Sequence, residues 1–195
     1  MIVIGLTGSI GMGKTTLARQ LMALGAKICH ADVIVHELLD TGGEAVAVVA
    51  KTFPGTENKS KIDRKKLGEI VFNNKKKLKQ LEALLHPLVV GKENEFVTRQ
   101  LMLGAKMAVL DIPLLFETGA EARCDITIVA SAPGFIQRQR VMKRPNMTPE
   151  KFRSIVAAQM SDGEKKDRAD FVVSTGLGRA YSFRALLEIV RAIHA

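Results

Sequence analysis

Aromatic residues are scarce in this sequence: eight Phe, one Tyr and no Trp among 195 residues. That argues against a surface that stacks single-stranded bases, although the formal net charge is +9. Cysteine is nearly absent too. Cys29 and Cys124 have neither disulfide-framework nor metal-ligand spacing. They read as two buried free thiols in a reducing cytoplasm. No apolar run approaches bilayer length, so no membrane partner is expected. The first ten residues are apolar but have no basic n-region and no cleavage site, so they do not read as a signal peptide. The chain also lacks an Asn-Lys-x-Asp guanine reader, and no glycine follows Asp111 as a GTPase switch needs. What remains is a soluble globular chain of ordinary apolar content, long enough for one domain with insertions.

The organising stretch is 1–20, M-I-V-I-G-L-T-G-S-I-G-M-G-K-T-T-L-A-R-Q. Ile2 to Leu6 read as a buried strand. A loop follows with the spacing Gly8-x-x-x-x-Gly13-Lys14-Thr15. Leu17, Leu21 and Leu24 then recur at helical spacing. Strand, loop and helix in this order make a phosphate loop. Glycines let backbone N–H groups approach phosphate oxygens with no Cβ in the way. The helix start adds unpaired N–H donors and the positive end of a dipole. Gly11, Met12, Gly13, Lys14, Thr15 and Thr16 are the residues expected to hold the phosphates of a nucleoside triphosphate. Lys14 would reach the β- and γ-phosphates, and the Thr15 hydroxyl would ligate Mg²⁺.

Further strands read at 26–30, 106–111, 125–130 and 169–173, separated mostly by helices. The expected fold is α/β, a P-loop NTPase-type parallel five-stranded sheet flanked by helices. Asp32 follows the second strand, where ligands of open parallel sheets bind. It is equally placed to cap a helix starting near Val33. Asp111 ends K-M-A-V-L-D, the position of a strand-end aspartate near magnesium. Between 41 and 105 the strand–helix alternation stops. Ile62–Phe72 and Lys75–Leu103 read as helices, the second interrupted at His86-Pro87, with a stripe of Leu78, Leu81, Leu84, Leu85 and Leu88 facing the core. A helix opening at Pro133 carries Arg138, Arg140, Lys143 and Arg144, and one face of it is a candidate lid over the phosphates. Arg138 and Lys143 read as solvated. A helix from Thr148-Pro149 to about Met160 and a closing helix at Tyr181–His194 complete the chain. The span Lys59–Lys79 holds nine basic residues against Asp63 and Glu69, and Lys75 to Lys77 read as a solvated face.

These pieces together resemble the dephospho-coenzyme A kinase family. The resemblance runs from Ile4 to about Gly176. It rests on the phosphate loop, H-A-D at 30–32, I-D-R-K-K-L-G-E-I-V-F at 62–72 and L-E-A-L-L-H-P at 81–87. It continues with D-I-P-L-L-F-E at 111–117, Q-R-Q-R-V-M-K-R at 137–144 and A-A-Q-M at 157–160. The resemblance implies transfer of the ATP γ-phosphate to the ribose 3′-hydroxyl of dephospho-coenzyme A, the last step of coenzyme A synthesis. It implies a single kinase domain over 1–195, a helical coenzyme A-side insertion at 41–105 and a lid at 133–165. Asp32 matches the acid that orients or deprotonates the hydroxyl, with Lys14 and Arg140 as its catalytic partners. Thr15 and Asp111 fall at the magnesium positions, and Glu117 lies near them. Arg64 and His86 are candidate coenzyme A contacts. Two positions depart from the family pattern: His30 stands where an aspartate is common, and Thr175 stands where many relatives have asparagine before glycine.

The same residues also admit another small-molecule P-loop kinase, acting on a nucleoside monophosphate. A nucleotide-dependent nucleic-acid-binding module is the reading from charge alone, and the scarcity of aromatics disfavours it. The expected partner is dephospho-coenzyme A, with no nucleic acid, in a monomer or weak homo-oligomer.

Overall fold

The computed structural model describes residues 1–72 and 74–194; Asn73 and Ala195 lie outside the described residues. Residues 1–29 together with 99–195 form one compact unit, and 30–98 form a second.

The first unit is built on strands β1 (Ile2–Thr7), β2 (Lys27–His30) through Cys29, β5 (Met107–Asp111), β6 (Ile126–Ser131) and β7 (Phe171–Ser174). They lie in the order β2-β5-β1-β6-β7. The sheet is parallel, as expected, with Leu6 opposite Asp111 across β1 and β5. The central strands are apolar on both faces because helices cover both. Ile4, Leu6, Val109, Ile128 and Val173 pack with Leu17 and Leu21 of helix α1 (Lys14–Ala23) and Leu186 of helix α9 (Arg179–Ala192). Each such leucine contributes roughly 1.5–3 kcal/mol on burial. Helices α1 and α9 are also tied by Gln20, whose Nε2 donates to the Arg179 carbonyl at 2.8 Å. The sequence order β1–α1 therefore ends in a fixed register, with the 8–13 loop between a central strand and a core-packed helix.

Helices α6 (Gly134–Met142), α7 (Pro149–Ala157) and α8 (Asp162–Arg168) lie between β6 and β7. The Thr148 hydroxyl caps α7, accepting from the Lys151 amide at 3.2 Å. The expected single helix to Met160 instead stops at Ala157. A second begins behind a capping box in which Ser161 and Glu164 each accept from the other's backbone N–H. Cys29 is buried but Cys124 is only half-buried, so the expectation of two buried thiols holds for one.

The second unit holds helices α2 (Ala31–Leu39), α3 (Val46–Thr52) and α4 (Arg64–Phe72) and α5 (Lys75–Met102) through Thr98. A small antiparallel hairpin of β3 (Glu57–Asn58) and β4 (Lys61–Ile62) turns through Lys59 and Ser60, both at positive φ. Helix α4 starts at Arg64, two residues later than expected, because Ile62 belongs to the hairpin. Asp63 Oδ1 accepts from the Lys65 and Lys66 amides and so opens the helix. Helix α5 runs unbroken through Pro87. A mid-helix proline costs about 3 kcal/mol, and tertiary packing of an apolar stripe offsets it. That stripe is narrower than the leucine pattern: Leu81 and Leu85 are buried, Leu84 and Leu88 partly so, and Leu78 is exposed. Lys75, Lys76 and Lys77 are exposed, as the solvated reading expects.

Candidate active site

The phosphate loop is the turn between β1 and α1. Gly11 and Gly13 have φ of 77° and 96°, values that L side chains rarely adopt. Space forbids side chains there as well. A Cβ on Gly11 would lie 2.5 Å from Val141 Cγ2, and one on Gly13 would lie 2.7 Å from Thr175 Oγ1. Gly13 caps α1, its carbonyl accepting from the Thr16 and Leu17 amides. Lys14 therefore leaves the first helical position. Its Nζ donates to Asp111 Oδ1 at 2.6 Å, with both side chains largely buried. The two meet because β5 lies beside β1 and Asp111 stands opposite Leu6. Thr15 follows on the exposed side of the helix start.

Side chains from distant parts of the chain fasten this loop. Gln137 Nε2 donates to the Ile10 carbonyl at 2.9 Å, and Gln159 Oε1 accepts from the Ile10 amide at 3.0 Å. Arg140 Nη1 donates to the Gly11 carbonyl at 3.3 Å and to Thr175 Oγ1 at 2.9 Å. Its Nη2 donates to the Thr175 carbonyl at 2.7 Å. The Thr175 hydroxyl in turn donates to the Met12 carbonyl at 2.6 Å. Arg138, on the same helix, and Lys143, at its C-cap, are exposed.

The segment after β5 is held separately. Glu117 pairs with Lys165 at 2.8 Å and accepts from the Met160 amide at 2.8 Å. Lys165 is fully buried, and its Nζ also reaches the Pro113 carbonyl at 3.3 Å. The Thr7 hydroxyl donates to the same carbonyl at 3.0 Å. The guanidinium of Arg168 stacks 5.0 Å from the Phe116 ring centroid.

Sequence reasoning assigned no role to Gln137, Gln159, Thr175 or Lys165. Both glutamines lie in the motifs that carry the resemblance, and Thr175 is one of its departures. The bonds of these three to residues 10–12 span more than a hundred residues and leave no local signal. Gly11, Met12, Gly13, Lys14, Asp111 and Arg140 meet in one cluster of the first unit, with Thr15 and Thr16 at the helix start.

In the second unit Asp32 lies in the first turn of α2 and is exposed. The cap residue is His30, which makes no side-chain cap bond, so Asp32 is not the capping residue. Asp32, Val33, His36, Glu37, Asp40 and Thr41 line an open cavity of about 520 Å³. A second cavity of about 390 Å³ is lined by His36, Asp40, Lys61, Asp63, Arg64 and Lys65, among others. The Arg64 guanidinium hydrogen-bonds His36 Nε2 there. His86 is exposed on α5.

The family model for dephospho-CoA kinase matches residues 2–178. The chain belongs to the dephospho-CoA kinase family. A dephospho-CoA kinase from Agrobacterium fabrum is 46% identical over 195 residues, covering 100% of both chains. A solved Thermus thermophilus protein superposes with a TM-score of 0.88 at 32% identity, covering 100% of this chain and 98% of that one. The dephospho-CoA kinase from Campylobacter jejuni gives a TM-score of 0.73 at 32% identity, covering 98% of this chain and 96% of its own. The family is one of kinases, which use ATP and typically Mg²⁺. Among the described residues no helix is long and apolar enough to cross a membrane.

Proposed function

We propose that this chain transfers the γ-phosphate of ATP to the ribose 3′-hydroxyl of dephospho-coenzyme A, completing coenzyme A in the cytoplasm. The observation that carries this reading is the Lys14–Asp111 pair, set on a glycine loop whose backbone is fastened in place. Family membership selects the acceptor.

Gly11 to Thr16 bind the triphosphate through backbone N–H groups and the helix start. Lys14 sits ready at the loop, its ammonium oriented by Asp111 until phosphates arrive. Arg140 spends three N–H donors on the loop and Thr175, which fixes its charge beside the phosphates. Thr15 and Asp111 supply hard oxygen donors, a set that fits a magnesium ion taking one or two protein oxygens. When bound, that ion neutralises charge on the phosphates.

Asp32 acts on the acceptor. A ribose hydroxyl is a weak nucleophile, but phosphoryl transfer passes through a loose transition state. Asp32 therefore serves mainly by orienting the hydroxyl and taking its proton late. Its exposed place at the start of α2 suits a group that meets a bound substrate. The helical insertion at 41–105 receives the rest of dephospho-coenzyme A, with Arg64 and His86 as contacts. The segment 133–165 serves as a lid that excludes water and limits wasted hydrolysis. The enzyme works as a monomer or weak homo-oligomer, without nucleic acid.

The test is ADP release from ATP and Mg²⁺, with dephospho-coenzyme A beside a panel of nucleoside monophosphates. The expected result is a rate that depends strongly on dephospho-coenzyme A alone. Equal or greater stimulation by a nucleoside monophosphate would replace this acceptor.

A further inference from the structure

We infer that Thr175 is a positioning residue of the nucleotide site: its hydroxyl sets the Met12–Gly13 peptide so that the Gly13 N–H faces the phosphates. The inference rests on the reading of residues 8–16 as an ATP-phosphate loop.

A hydroxyl has one proton to give and lone pairs to receive with. Thr175 spends both on this loop. The proton goes to the Met12 carbonyl at 2.6 Å, and a lone pair accepts from Arg140 Nη1 at 2.9 Å. A trans peptide plane holds its C=O and the next N–H on opposite sides. Pinning the Met12 carbonyl toward Thr175 thus turns the Gly13 N–H away from Thr175. The neighbouring plane is pinned at both ends instead: the Gly11 carbonyl accepts from the same guanidinium nitrogen at 3.3 Å, and the Met12 N–H donates to the Ser9 carbonyl at 3.1 Å.

Thr175 can impose this orientation because it is itself fixed. It is 5% exposed, and its amide donates to the Ser131 carbonyl at 2.8 Å beyond the paired ends of β6 and β7. Its carbonyl accepts from Arg140 Nη2 at 2.7 Å. Its side chain lies flush against Gly13, where a Cβ would come within 3.0 Å of three Thr175 atoms. The loop therefore rests on a platform formed by the sheet edge and one guanidinium. A threonine supplies what this platform needs: a hydroxyl for the carbonyl and a methyl for the contact with Gly13.

The experiment compares wild type, Thr175→Val and Thr175→Ser. ATP affinity is measured by calorimetry without acceptor, and KM for ATP and for dephospho-coenzyme A are measured in turnover. Valine keeps the shape and removes the hydroxyl; serine keeps the hydroxyl. Thr175→Val should bind ATP about five-fold more weakly, the loss expected from one hydrogen bond. Its KM for ATP should rise in step while KM for the acceptor stays put. Thr175→Ser should bind ATP within about two-fold of wild type, on the same scale. Should valine lower the melting temperature into the assay range, Thr175→Ala carries the same expectation with the contact on Gly13 relieved. Wild-type ATP affinity in the variants lacking the hydroxyl overturns the inference. So does a serine variant as weak as the valine one, since the hydroxyl would then not be what matters. A wild-type protein that fails to bind ATP overturns the phosphate-loop reading instead, and calorimetry separates the two failures.

Discussion

Around residues 8–13 the chain is held by Gln137, Arg140, Gln159 and Thr175, and the charges beside it are paired out of solvent. In the unit spanning 30–98 the corresponding candidates, Asp32 and Arg64, are exposed and line open cavities. One ion pair taken from each unit shows the same contrast. Lys165 and Glu117 meet at 2.8 Å with the lysine fully buried, whereas Lys61 and Asp40 are exposed and 3.9 Å apart. Breaking a buried pair costs about 3–5 kcal/mol, while an exposed pair contributes only about 0–1 kcal/mol. The difference follows from what each region meets. A triphosphate presents the same oxygens each time, and N–H donors aimed in advance cost no reorganisation during transfer. Side chains that receive a large acceptor must stay reachable until it arrives.

The largest expected effect is at the fastened end. Lys14→Ala should lower kcat/KM for ATP about 1,000-fold, as loss of a charge on the transferring group does, and weaken ATP binding in calorimetry. Unchanged affinity and rate would remove the loop from the account. Next, Glu117→Ala leaves the buried Lys165 ammonium without its carboxylate. It should cost about 3 kcal/mol in urea unfolding, against less than about 1 kcal/mol for Lys61→Ala. Equal costs would erase the contrast between these two pairs. Asp32→Asn should lower kcat about 100-fold while ATP affinity is retained. Loss of ATP binding in that variant would move Asp32 from the acceptor side to the nucleotide side.

The smallest effect concerns α8. Hydrogen bonds from the Ser161 hydroxyl and amide hold the Glu164 carboxyl below its ordinary value of 4.5. A carboxyl lowered in the fold adds stability above its unfolded pKa and loses it as pH falls through the folded one. Ser161→Ala should therefore melt below wild type at neutral pH, and the gap should narrow as pH drops below about 4.5, leaving the part owed to the Glu164 amide, whose bond to the Ser161 hydroxyl does not titrate. A gap independent of pH would take Glu164 out of the cap.

The parts legible in the sequence were those with local signatures. The phosphate loop needs a strand, glycines and a helix in succession, and all lie within twenty residues. Asp111 could be placed because an apolar run ends on it, and its strand then lies beside β1. Proline misled at position 87, because helix propensity is local and the packing that offsets it is not. Helix α8 had a readable signal, Ser161-x-x-Glu164, just beyond the expected end of the preceding helix, where no element was read. Hairpin β3–β4 is too short to show any alternation. The bonds of Gln137, Gln159 and Thr175 to the loop join residues brought together only by the sheet order, and no spacing encodes them.

The most direct measurement of the central claim is the identity of the product formed from ATP and dephospho-coenzyme A by the whole chain. Mass analysis counts the phosphates gained, and NMR of the ribose locates them. The account predicts one added phosphate, on the 3′-oxygen, formed with one ADP per turnover. A product phosphorylated elsewhere, or ADP released with the acceptor unchanged, would contradict it.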